Sequence, residues 1–155
     1  MGGDETLETR LRRLEDLEEI RQLLLEYARR LDAADFLGYA ELFTADGVLN
    51  AQLGRAEGRE AIVALLQERL GTNPDRPRKP AFHLVGNPDI QVDGDTATAT
   101  VLWAYVTHDS EGFPMILQLG HYRDTLARDD GAWKFRCRDI SRDLGFSPLE
   151  APPRR

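Results

Sequence analysis

The spacing of apolar residues changes period once along this chain, at Pro80, and that change restricts the fold more than any other feature of the sequence. Before it, Leu17, Ile20, Leu24, Tyr27, Ala28 and Leu31 recur every three or four positions, which predicts an amphipathic helix. Asp35 reads as the N-cap of a short second helix, Phe36 to Phe43, and Asp46-Gly47 as the turn into a short strand, Val48 to Ala51. Ile62, Leu65, Leu66 and Leu70 form the stripe of a third helix, with Gly71 at the C′ position that would end it. Thr72 to Pro80, rich in proline and charge, reads as an exposed loop.

After Pro80 the period is close to two. Strands are expected at Phe82 to Val92 with a bend at Asn87-Pro88, at Thr96 to Thr107, at Met115 to Ala127, and from Trp133 to about Asp143. Helices gathered ahead of an antiparallel meander predict an α+β fold in which three N-terminal helices cover one sheet. The expected organisation is a flexible extension over 1–13, a single domain over 14–144 and a loosely ordered tail over 145–155. Both faces of Val101 to Val106 are apolar, whereas an antiparallel sheet needs only one face for its own helices, so the other is expected to meet a second subunit in a homodimer or homotrimer.

Composition narrows the function classes. With 155 residues, 41% of them hydrophobic, the chain can build one core without staples. A net charge of −7 disfavours nucleic acid and anionic membrane, because the basic residues come only in short groups such as Arg29-Arg30 and Arg76, Arg78 and Lys79. The single cysteine, Cys137, cannot form an internal disulfide, and the charged start has no apolar core of a leader, so a cytoplasmic location is expected. His83, His108 and His121 lack zinc-site spacing, so neither a metal nor another cofactor is expected.

Two polar residues sit where the apolar pattern asks for something else. Asp32 lies at the C-terminal end of the first helix, where the macrodipole disfavours a carboxylate; it either pairs with Arg29 on the surface or has a partner in the fold. His83 points away from Phe82 and Leu84 on a strand that otherwise reads as buried, as either a core histidine or a reactive one. His108 and His121 read as interface or surface residues. There is no nucleophilic serine or cysteine arrangement and no glycine-rich phosphate loop after a strand, which leaves cofactor-free proton transfer.

Several segments resemble one superfamily. Tyr27 to Phe36, Leu42 to Gly47, Gly58 to Ile62, His83 to Pro88, Gly120 to Asp124 and Gly131 to Phe135 are similar, in order and spacing, to segments of SnoaL-like proteins of the nuclear transport factor 2 type. The resemblance covers about residues 20 to 140 and implies a cone-shaped, cystatin-like α+β barrel. It is closest to the branch of scytalone dehydratase, bile acid 7α-dehydratase and hexachlorocyclohexane dehydrochlorinase. There an aspartate ending the first helix pairs with a histidine that removes a proton from carbon.

The matching positions are Asp32 and His83, with Tyr27 at the place of a pocket tyrosine and Arg138 or Arg142 at that of a final-strand arginine. Positions that handle the leaving group in that branch hold Thr107 or Tyr105, then Gly120 and Tyr122, so the resemblance implies proton transfer without a particular dehydration. The implied chemistry is abstraction of an acidic C–H from a small hydrophobic, cyclic or carbonyl-bearing molecule by His83, oriented by Asp32. Tyr27, Tyr105 or Tyr122 would donate to the developing oxyanion, Phe43, Trp103 and Phe82 would supply apolar wall, and Arg142 would help hold the substrate. A non-catalytic ligand-binding or assembly subunit is the other reading of the same fold.

Overall fold

A computed structural model of the protein describes residues 6–71 and 80–146. Most of the expected loop, with Arg76, Arg78 and Lys79, lies outside the described residues, as does the tail from residue 147.

Helix α1 runs Leu7–Asp32, so part of the expected N-terminal extension belongs to it. The Thr6 hydroxyl starts the helix by accepting the Thr9 amide at 3.2 Å. Its inner stripe of Ile20, Leu23, Leu24, Tyr27, Ala28 and Leu31 is buried, and it stops where Ala34 turns left-handed at φ 56°. Asp35 then caps α2, Phe36–Ala40, by accepting the Gly38 amide at 3.0 Å. Helix α3, Arg59–Leu70, buries only Ile62 and Leu66.

Gly71 closes α3 for a different reason than expected. Its backbone is extended at φ −52°, not left-handed, and an added Cβ would stand 2.2 Å from the Gln67 carbonyl oxygen. The position needs glycine for close approach rather than for positive φ.

The strands are β1 Phe43–Ala51, β2 Gly54–Glu57, β3 Phe82–Asp93, β4 Thr96–His108, β5 Pro114–Asp129 and β6 Ala132–Gly145, in spatial order β2-β1-β6-β5-β4-β3. The expected meander is present as β3 to β6, with the register of β3 slipping between Gly86 and Asp89 around Asn87 and Pro88. In the N-terminal half α2 stops at Ala40 instead of Phe43, and β1 begins at Phe43 instead of Val48, so Asp46-Gly47 lies inside a strand and is not the expected turn. Two further features were not legible. Strand β2 has no alternating pattern, and β1 joins β6 in parallel, so the sheet is mixed rather than purely antiparallel.

Alternation fixes which face is inside. Along β4, Ala97, Ala99, Val101 and Trp103 are buried while Thr96, Thr98, Thr100 and Leu102 are exposed. The concave inner face packs on α1 and closes over an aromatic core of Tyr27, Tyr39, Phe43, Tyr122 and Phe135. In the N-terminal half of α1, Asp16 is pinned by Arg128 and by the Trp133 indole N–H at 3.1 Å, locking the helix to the sheet away from the pocket.

Candidate active site

The geometry of the site starts from the end of α1. Arg29 is taken by Glu26 at 2.6 Å, which removes the surface partner that Asp32 has at helical spacing. Asp32 instead reaches β3 and holds one residue twice. Its Oδ2 accepts the His83 backbone N–H at 2.9 Å and its Oδ1 contacts His83 Nδ1 at 2.7 Å. The backbone bond fixes the strand against the helix, so the ring bond forms without a further search by either side chain. A carboxylate at Nδ1 can only accept, so in the neutral ring it selects the tautomer with the proton on Nδ1 and the lone pair on Nε2.

The His83 ring lies on the inner face, 5.0 Å from the Tyr105 ring centroid and 6.3 Å from that of Trp103. Its neighbours Phe82 and Leu84 are exposed on the opposite face, so Phe82 is not pocket wall. The strand that read as buried is covered on one side only.

A cavity of about 140 Å³ opens beside this ring. Tyr27, Leu31, Leu49, Leu66, Trp103 and Tyr105 form much of its wall, and Gln118, Tyr122, Ile140 and Arg142 complete the sheet side. Apolar cavities of this size accept a one-ring molecule. The sheet brings Tyr27, His83, Trp103, Tyr105, Tyr122 and Arg142 to one cavity although they come from five elements. Phe43 is a correction: it opens β1, is fully buried, and packs on Tyr39 and Phe135 in the core instead of lining the cavity.

The floor depends on a glycine. Gly120 faces inward between Trp103 and Arg142, and a Cβ there would stand 2.9 Å from Trp103 Cε2 and 1.9 Å from the Ser141 oxygen. Without it the indole lies across β5, donates Nε1–H to Ser141 O at 3.2 Å, and runs within 12° of parallel to the Tyr122 ring.

Beneath the floor is a buried ion pair that sequence reasoning named only in part, through Arg138. Arg138 is 0% exposed and donates Nε–H and Nη2–H to the two Asp124 oxygens at 2.7 and 2.6 Å. Its guanidinium carbon stands 3.9 Å from the Tyr27 ring centroid, 4.1 Å from Tyr122 and 4.2 Å from Phe135. Burial works against the charge, but the Asp124 charge and hydrogen bonds outweigh it and keep Arg138 well above its ordinary value. Burial likewise pushes the Asp124 carboxyl up against the pull of Arg138, and the two-point contact keeps the pair ionised. The signal available in the sequence was the inward parity of Tyr122 and Asp124 on β5; the partner on β6 required the register.

The Tyr39 hydroxyl donates to the Tyr27 oxygen at 2.7 Å. Burial raises Tyr27, Tyr39 and Tyr122 above the usual phenol value, while Arg138 pulls each of them down. These phenols are neutral donors at ordinary pH. Among the described residues no three His, Cys, Asp or Glu side chains are grouped to hold a metal ion, and no helix is long and apolar enough to cross a membrane.

Comparison with known proteins fits this architecture. The SnoaL-like domain model matches residues 12–139. The chain belongs to the SnoaL-like domain family. A Novosphingobium aromaticivorans NTF2-like protein with a cystatin-like fold superposes with TM-score 0.76 at 29% identity, over 94% of this SnoaL-like chain and 95% of that one. ActVI-ORFA of Streptomyces coelicolor superposes with TM-score 0.70 at 26% identity, over 82% of this chain and 96% of that one. The uncharacterised protein Rv2910c of Mycobacterium tuberculosis is 34% identical over 91 residues, 57% of this chain. The aligned stretch is 58% of the length of that relative.

Proposed function

We propose that this SnoaL-like protein catalyses cofactor-independent proton transfer on a small hydrophobic molecule, cyclic or carbonyl-bearing, with His83 as the base. The reading rests on one observation: Asp32 grips His83 through both its backbone amide and Nδ1 at the wall of an apolar cavity. Neutral His83 takes the proton from carbon through Nε2, and Asp32 stabilises the imidazolium that forms. The electrons left on the substrate move onto its oxygen, where Tyr27 or Tyr122 donates a hydrogen bond, and Arg142 holds a polar substituent. Return of the proton to another carbon gives isomerisation, and loss of a β-substituent gives elimination. Lyase, isomerase and cyclase outcomes share this first step.

The test is exchange of α-protons into deuterium oxide, followed by NMR on 2-tetralone and cyclohexenone as probes. Catalysed exchange that disappears in His83→Gln supports the base. Exchange at the wild-type rate in both His83→Gln and Asp32→Asn overturns it and leaves the ligand-binding subunit. That second reading has its own support, since no carboxylate or second histidine lines the cavity among the described residues.

The assembly belongs to the same proposal. Phe82, Leu84, Leu102, Ile116 and Leu144 are exposed on the outer face, where cross-strand partners share a side. Such a face is covered by further copies of the same chain, giving a homodimer or homotrimer. Light scattering at micromolar concentration checks this, and a monomer overturns it. A cytoplasmic location completes the reading, tested by fractionation.

A further inference from the structure

The Asp124–Arg138 pair has no part in gripping His83, yet it occupies the space directly under two cavity-lining phenols. A buried guanidinium carries a desolvation cost that apolar side chains of the same volume avoid, so packing alone gives no reason for it. Its orientation gives one. Nε and Nη2 are both spent on Asp124, whereas Nη1 is the single buried side-chain polar atom without a hydrogen-bond partner among the described residues. The carboxylate is on one edge of the guanidinium and the faces of Tyr27 and Tyr122 meet it at 3.9 and 4.1 Å. The pair is therefore a fixed dipole with its positive end against the rings.

A cation on the face of a phenol withdraws electron density through the ring, so the O–H becomes a stronger donor and the phenolate is less costly. Tyr39 acts on the same oxygen, because by donating to Tyr27 it leaves the Tyr27 proton for another acceptor. We propose that Arg138, fixed by Asp124, is a positioning residue that acts through Tyr27 and Tyr122, making them the donors for negative charge developing on a ligand oxygen. It touches no substrate. The ligand class follows as molecules whose oxygen becomes or already is anionic, enolates and phenolates above all. The ligand role rests on the proton-transfer reading; the effect on the phenols does not.

The experiment therefore uses no substrate. Tyr27 is replaced by 3,5-difluorotyrosine, whose more acidic phenol titrates where the fold survives, and its ionisation is followed by fluorine NMR. It is measured in the full chain and in two further variants. In Asp124→Leu/Arg138→Met, which removes both charges and keeps an apolar fill, the ionisation constant is expected to fall at least about tenfold, one pK unit. In Asp124→Asn, which leaves the cation without its counter-charge, the constant is expected to rise.

Opposite movements support the proposal, since loss of packing alone has no reason to change sign between the two. A difluorophenol that titrates identically in all three proteins, or moves the same way in both variants, overturns it. Should the double variant not fold, Asp124→Asn decides alone: a rise supports the proposal and no rise overturns it. Failure here with intact His83-dependent exchange removes only the arginine's role; success here without exchange removes only the catalytic reading.

Discussion

Two histidine–aspartate pairs lie on opposite faces of the same sheet, and in the bare contact they are alike. His83 meets Asp32 through Nδ1 on the inner face, and His121 meets Asp143 through Nδ1 on the outer one. The difference is in what surrounds them. The inner side chains are 17% and 24% exposed, the outer ones 34% and 43%. Asp32 also holds the His83 backbone, so its histidine has one orientation, with Trp103 and Tyr105 beside the ring. Asp143 and His121 are partners on neighbouring strands, with Ser141 and Arg123 nearby and both side chains more open to solvent. A histidine–carboxylate contact is thus no sign of chemistry by itself. Enclosure and a second anchor turn the inner pair into a candidate base.

The largest expected effect breaks this contrast directly. If the inner pair alone is reactive, His83→Gln lowers α-proton exchange about 100- to 10,000-fold, and His121→Gln leaves it unchanged. Equal losses from both would remove the distinction. Next comes the charge beneath the floor. Arg138→Leu strands Asp124 in the core and should cost about 3–5 kcal/mol in urea unfolding, most of it recovered in Asp124→Leu/Arg138→Met. A single variant as stable as wild type would mean that water reaches the carboxylate.

Asp32→Asn probes the anchor itself. The amide oxygen still accepts the His83 backbone N–H, so the fold should survive with a loss of about 1–3 kcal/mol, but the imidazolium loses its counter-charge and exchange falls. Retained exchange would make Asp32 a structural clasp, like Asp16 further up the same helix.

The smallest effect belongs to the outer pair and is a pH dependence. The His121 hydrogen bond holds the Asp143 carboxyl below its ordinary 3.8. A folded-state value below the unfolded one contributes stability that is present above the unfolded value and is lost as pH falls through the folded one. Melting temperatures of wild type and Asp143→Asn should therefore differ slightly at pH 6 and converge toward pH 3. Because the carboxylate is solvent-exposed, the gap should be small and should shrink in salt. A gap that widened on acidification would contradict the sign.

How far these outcomes could be anticipated differs by element. The stripe of α1, the cap at Asp35 and the two faces of β4 follow from periods that depend only on local geometry, so they were legible. Asp32 and His83 stood out as polar residues in apolar contexts, but they are separated by the whole of α2, β1, β2 and α3. Only a match to other proteins joined them before the structure did. Phe43 shows the opposite failure: it was expected as apolar wall at the end of a helix, and as the first residue of β1 it packs against Tyr39 and Phe135 behind the wall.

By itself, the sequence determined the inner stripe of α1, the alternation of the β3 to β6 meander, and that one strand has two apolar faces, because side-chain direction repeats with backbone geometry. Tertiary structure alone decided the rest. It set β1 parallel to β6, laid Trp103 over Gly120, and brought Arg138 from β6 under a tyrosine of α1. These depend on register between distant strands, and one residue of slip turns every side chain to the other face.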